Sequence, residues 1–161
     1  MAVNKNVIVL ASNPKGLFEE AECTVAITPG TVVQIDTSEG LNANGRYSIE
    51  LFAAGDGGLA PTLIAVEPTV NDPNALVTTD YAINTNARVY WPALGEDFNM
   101  VVGDSETPAF GNLMVVDSGT GDLNVASGST EDITPFICLE SSITAGNLVH
   151  VKYIGQGGSI A

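Results

Sequence analysis

Basic residues are what this chain has least of. Lysine and arginine together number 5 against 19 aspartates and glutamates, a formal charge of −14 over 161 residues. Affinity for a phosphate backbone comes from Lys and Arg displacing its counterions, so nucleic acid and anionic membranes are both excluded as expected partners. The same charge keeps free copies apart until a specific partner is met. Long apolar runs are missing as well. No stretch approaches the roughly 20 apolar residues of a membrane helix. Val7–Ala11, followed by Pro14 and Lys15, is too short for the core of a signal peptide. The expectation is a protein made and folded in a reducing cytoplasm. With 2 cysteines and 1 histidine there is no zinc-ligand set. Cys23, before Thr-Val-Ala-Ile, and Cys138, between Ile137 and Leu139, read as two buried free thiols. A disulfide would need their Cα atoms within about 7 Å.

What is present is apolar and turn-rich. At 45% hydrophobic content, a chain of this length buries roughly 70% of the surface its unfolded form exposes, enough for one core without staples. Short runs rich in Val, Ile, Thr and Tyr alternate with Gly, Pro, Asn and Asp. They predict strands at Asn6–Ala11, Glu22–Ile27, Thr31–Asp36, Tyr47–Ala53, Thr62–Val66, Ala87–Trp91, Phe98–Val102, Leu113–Asp117, Leu123–Ala126, Thr134–Leu139 and Leu148–Ile154. Pro29-Gly30, Asn44-Gly45 and Gly119-Thr120-Gly121 supply tight turns. Only Pro14–Ala21 reads as helix, with Ser12 or Asn13 as cap and Pro14 in the first turn. The expected fold is all-β: a compact β-barrel or β-sandwich of many short strands with at most one short helix. Residues 1–13 read as an N-terminal arm or first strand, 14–154 as a single β domain, and 155–161 as a loose glycine-rich tail.

Chemistry-bearing motifs are sparse. Val115-Val116-Asp117-Ser118-Gly119-Thr120 has the shape of an aspartic-protease turn. That chemistry needs two carboxylates about 3 Å apart sharing a proton, and one copy per chain could supply them only in a homodimer. The competing reading is a hairpin turn, where Asp, Ser and Gly are favoured. His150 shares a strand face with Lys152 and has no nucleophile elbow to serve. Gly55-Asp56-Gly57-Gly58, with Glu50 or Glu67, is the one cation candidate, against the plainer reading of a turn. Glu19, Glu20 and Glu22 form an acidic cluster read as a solvated helix end. No cofactor is expected. Tyr90 and Trp91 are consecutive and so face opposite ways. One belongs to the core and the other is a candidate interface aromatic. A third class of reading, a carbohydrate-binding or adhesion module, would place Tyr81, Tyr90 and Trp91 on an exposed platform.

One set of segments is more informative together than any is alone. Tyr81–Val102 combines a tyrosine, a polar turn, Arg88-Val89-Tyr90, Pro92-x-x-Gly95-Glu96-Asp97 and Asn99-Met100-Val101-Val102. Before it, in order, come Pro14-Lys15-Gly16, Ile27-Thr28-Pro29-Gly30-Thr31-Val32-Val33, Gly45-Arg46-Tyr47 and Ala54-Gly55-Asp56-Gly57. After it come Gly111–Gly121 and the closing strand Leu148–Ile154. This series resembles the head decoration (cement) proteins of tailed bacteriophages across Pro14 to Ile154. The resemblance implies a non-enzymatic virion protein on the outer surface of the mature capsid, with the major capsid protein and its own copies, as a trimer, for partners. A trimer would also close strand edges that an isolated chain leaves open to pairing. Such proteins use a terminal arm to reach a capsid subunit, which makes Val3, Asn4, Lys5 and Asn6 candidate capsid contacts. The other reading of Val7–Leu10, apolar on both faces, is a strand internal to the chain.

Overall fold

The computed structural model describes residues 8–10, 14–39, 41–53, 63–67, 79–127, 135–140 and 147–155. Ten short strands build it: β1 (Leu17–Cys23), β2 (Val32–Ile35), β3 (Ser48–Leu51), β4 (Leu63–Ala65), β5 (Asn86–Trp91), β6 (Asp97–Val101), β7 (Leu113–Val116), β8 (Leu123–Val125), β9 (Phe136–Cys138) and β10 (Leu148–Tyr153). No helix occurs among the described residues. The fold is all-β, as the alternation of branched and polar residues dictates. In β10, for example, Val149 and Val151 are buried while His150 and Lys152 take the other face.

Five strands, in the order β1-β3-β2-β4-β5, close into a barrel. β1 closes it, pairing antiparallel with β5 from Leu17↔Trp91 to Glu22↔Asn86 and parallel with β3 at Glu22↔Ser48. Its interior is filled by small and branched side chains, among them Ala21, Cys23, Val33, Ile49, Leu63 and Val89. The other five strands, in the order β6-β10-β9-β7-β8, form a second sheet. Residues on the outer wall of the barrel, Val32, Ile64 and Tyr90, pack with Phe98, Met100, Phe136 and Val151 of that sheet into a second core. The chain's few aromatics run through this layer as a series of contacts. Ring centroids lie 4.5 Å apart for Phe18 and Tyr90, 5.8 Å for Tyr90 and Phe98, 6.5 Å for Phe98 and Phe136, and 5.5 Å for Phe136 and Tyr153. Pairs at these separations stabilise beyond the area they bury.

The helix expected over Pro14–Ala21 is not formed, and the strand expected at Glu22–Ile27 begins earlier. Leu17–Cys23 is β1. Helix propensity in Leu-Phe-Glu-Glu-Ala is worth a few tenths of a kcal/mol per residue. Pairing with strands on both sides and burial of Ala21 and Cys23 override it. Gly16 fixes the approach: a Cβ there would stand 2.0 Å from the Trp91 carbonyl oxygen. No residue but glycine lets β1 meet β5 at this point.

Both edges of the second sheet are covered from within the chain. On β6, the amide of Asn99 donates to the Ile8 carbonyl at 2.8 Å and that of Val101 to Gly30 at 2.9 Å, while the Leu10 amide donates to Asp97 at 3.0 Å. Val9 bridges Phe98 antiparallel, and Ile8 is wholly buried. On β8, Leu123 bridges Val102. The Val125 amide donates to the carboxylate of Glu106 at 3.1 Å. Among the described residues the barrel is closed and the edges of the second sheet are covered, so open edges there give no reason for a trimer.

Candidate functional site

Two of the segments that carry the resemblance, Pro14-Lys15-Gly16 and Tyr81–Val102, meet at one buried carboxylate. Glu96, in the turn from β5 to β6, is 6% exposed. It accepts hydrogen bonds from the Lys15 amide at 2.5 Å and the Ala93 amide at 2.8 Å, and both its oxygens lie 2.8 Å from the Tyr90 hydroxyl. That hydroxyl in turn accepts from the Gly16 amide at 2.6 Å. Burial pushes the Glu96 carboxyl up, but donation from Lys15, Ala93 and Tyr90 outweighs it and holds the group below the ordinary glutamate value. Burial, with the Glu96 hydrogen bond, pushes Tyr90 up to about 12. Pro14-Lys15-Gly16, Val89-Tyr90-Trp91 and Gly95-Glu96-Asp97 thus make a buckle between the entry to β1 and the β5–β6 turn. Its work is structural.

Above the buckle, one end of the barrel carries Glu19, Tyr47 and Trp91. The Glu19 carboxylate accepts from the Tyr47 hydroxyl at 2.7 Å and from Trp91 Nε1 at 2.8 Å. Burial and this bond raise the Tyr47 hydroxyl's pKa. Both half-buried rings are therefore held in one orientation across the barrel end. Of the two consecutive aromatics, Tyr90 is the core member, wholly buried. It offers no contact surface, which corrects its standing as a candidate interface residue. Trp91 takes the opposite face and lies at the barrel end. Tyr81 is also buried, its hydroxyl donating to the Val66 carbonyl at 2.9 Å. Tyr81, Tyr90 and Trp91 do not form an exposed platform.

The other sequence candidates resolve into local structure. Glu19, Glu20 and Glu22 lie on a strand, not at a helix end, and each is engaged: Glu20 pairs with Arg46 at 2.5 Å, and Glu22 accepts from Asn42. Asp117-Ser118-Gly119-Thr120 forms the β7–β8 hairpin turn. There the Asp117 carboxylate accepts from the Thr120 hydroxyl at 2.9 Å. Gly121 closes that turn at φ +73°, where a Cβ would meet the Val32 carbonyl oxygen at 2.2 Å. His150 and Lys152 share a face as expected, both against Asp97, at 3.3 and 2.5 Å. Cys23 and Cys138 are buried free thiols in different cores, and burial, with Glu22 nearby, pushes Cys23 up to about 11. Glu50 accepts from the Gln34 side chain at 2.8 Å. Glu67, buried, accepts from the Ile8 amide at 3.1 Å. No group of three or more His, Cys, Asp or Glu side chains among the described residues is placed to hold a metal ion. Val3, Asn4, Lys5, Asn6 and Gly55-Asp56-Gly57-Gly58 lie outside the described residues. Sequence reasoning missed the roles of Glu19 and Glu96. The signal available was a glutamate just after Pro-x-x-Gly, next in space to an apolar tyrosine strand.

No known family's sequence model matches the chain, and no curated protein is similar to it in sequence. Solved structures do match. The chain is similar to the head fiber gp8.5 N base of bacteriophage phi29, with a TM-score of 0.53 and 13% identity, over 86% of this chain and 93% of that one. It is also similar to a chain from the capsid of Myoviridae Phage XM1, with a TM-score of 0.59 and 15% identity, over 96% of this chain and 92% of that one. The barrel with its second sheet is a fold that structural proteins of phage heads use.

Proposed function

We propose that this chain is a non-enzymatic structural protein of a phage virion, which binds the outer surface of the mature capsid and stabilises it. The observation that carries this reading is the fold. It is shared over nearly the full length of both chains with a head-fiber base and with a capsid component. The partners are the major capsid protein and further copies of the chain, as a trimer. A protein that binds only the expanded lattice stabilises that lattice by mass action. An oligomer that grips several subunits gains avidity, so each contact can be modest. The charge of −14 suits the task, because free copies repel one another before they meet the shell. Val3, Asn4, Lys5 and Asn6 remain proposed arm contacts, preceding a segment already committed to the edge of β6.

Co-sedimentation with heads assembled without the protein tests the reading. The protein should pellet saturably with expanded heads, not with unexpanded ones, and should raise the temperature at which heads rupture. Absence of binding to expanded heads would overturn it.

A further inference from the structure

Among the described residues six large apolar side chains are exposed: Leu17, Leu41, Ile83, Leu94, Phe110 and Ile154. Four of them gather at one end of the molecule, and the topology shows why. β1 and β3 are parallel, so both begin at the same barrel end, and β5, antiparallel to β1, finishes there. Leu17 opens β1 and is 57% exposed; Leu41, in the loop entering β3 and bridged to Tyr47, is 70% exposed; Leu94, in the turn after β5, is 71% exposed. β10 ends at the same turn, where the Gly95 amide donates to the Tyr153 carbonyl at 2.8 Å. Ile154 follows, 37% exposed, and a Cβ on Gly155 would touch Leu94 at 3.1 Å. Trp91 and Tyr47, locked by Glu19, stand among them.

Charge is distributed unevenly between the two ends. At the apolar end the carboxylates other than Glu39 are engaged within the chain. Glu19, Glu22 and Glu96 accept internal hydrogen bonds, Glu20 faces Arg46 and Asp97 faces Lys152. Glu39 and Lys15 are exposed there. Three of the five basic residues, Lys15, Arg46 and Lys152, belong to this end. The far end holds Asp104, just past β6, with Asp117 and Asp122. Gly121 bonds there to Val32 at the start of β2. Burial and the charges of Asp117 and Asp104 raise Asp122.

We propose that the barrel end formed by Leu17, Leu41, Trp91, Leu94 and Ile154, with Lys15 beside them, is the face that docks on the capsid shell, the acidic far end pointing outward. This rests on the decoration reading. A dry contact needs apolar anchors, which this end supplies, and its carboxylates other than Glu39 are already held by hydrogen bonds or ion pairs within the chain. Lys15 fits a shell surface that offers carboxylate or carbonyl oxygens. A second copy fits less well, because it would bring its own −14 charge.

Leu94→Asp and Leu17→Asp test this in full-length protein, with Ile83→Asp and Phe110→Asp as controls of equal exposure elsewhere. All four change exposed side chains and should melt like the parent. Binding to expanded heads should weaken at least about tenfold for the first two and stay unchanged for the controls. Equal binding by all five proteins would overturn the proposal while leaving the decoration reading intact. Loss of self-association in the first two, with head binding by each chain unaltered, would assign the face to a second copy and overturn it as well. If the parent itself fails to bind heads, the decoration reading falls and this inference with it.

Discussion

Glu96 ties the β5–β6 turn to the entry of β1, 81 residues away in sequence. A buried carboxylate is costly unless donors surround it, and here two amides and a hydroxyl do so. Glu96→Gln keeps the size but puts an amide N–H₂ where an acceptor is needed. It should cost about 2–3 kcal/mol of stability, measured by urea unfolding at neutral pH. The folded-state pKa of Glu96 lies below its unfolded value of 4.5. Its contribution is therefore complete above that pH and is lost as pH falls through the lowered folded value. The gap between parent and variant should close in that acidic window. Asp122, raised by burial and by Asp117, acts with the opposite sign, since protonation relieves it. Comparing parent with variant isolates Glu96. A gap that persists unchanged below that window would show that packing, not charge, sets the loss.

At the level of elements, the short segment Ile8–Leu10 matters more than its length suggests. It covers the outer edge of β6, and Ile8 fills the core between barrel and sheet. Ile8→Ala should cost about 2–5 kcal/mol, the range for truncating a buried aliphatic side chain, and lower the melting temperature accordingly. A loss under 1 kcal/mol would mean the segment only lies along the edge. β1 is the instructive error of sequence reading. Leu-Phe-Glu-Glu-Ala after a proline looks like a helix start, and its partners on β3 and β5 lie 26 to 74 residues away in sequence. No local pattern reveals such partners. β10 was legible because one face, with Val149 and Val151, is buried and the other is not, whereas β5 and β6, buried on both faces in part, were legible from their β-branched and aromatic content. The turn glycines were legible for a related reason. Gly45, Gly119 and Gly121 adopt positive φ, which few other residues tolerate.

At the scale of the whole molecule, alternation revealed the all-β class but not the division into a closed barrel and a second sheet. That division depends on which edges meet, as in the parallel pairing of β1 with β3. The docking end was hidden for the same reason. Leu17, Leu41, Leu94 and Ile154 are scattered along the chain and come together only through topology. Two of the segments behind the resemblance, Pro14-Lys15-Gly16 and Tyr81–Val102, proved to be scaffold that meets at Glu96, and so spoke to fold more than to contact. The most direct test of the central claim is an electron cryomicroscopy reconstruction of expanded heads incubated with the protein. Added density is expected on the outer surface, fitting the barrel and second sheet, with the Leu94 end against the shell. Heads without added density, or density on the inner surface, would contradict it.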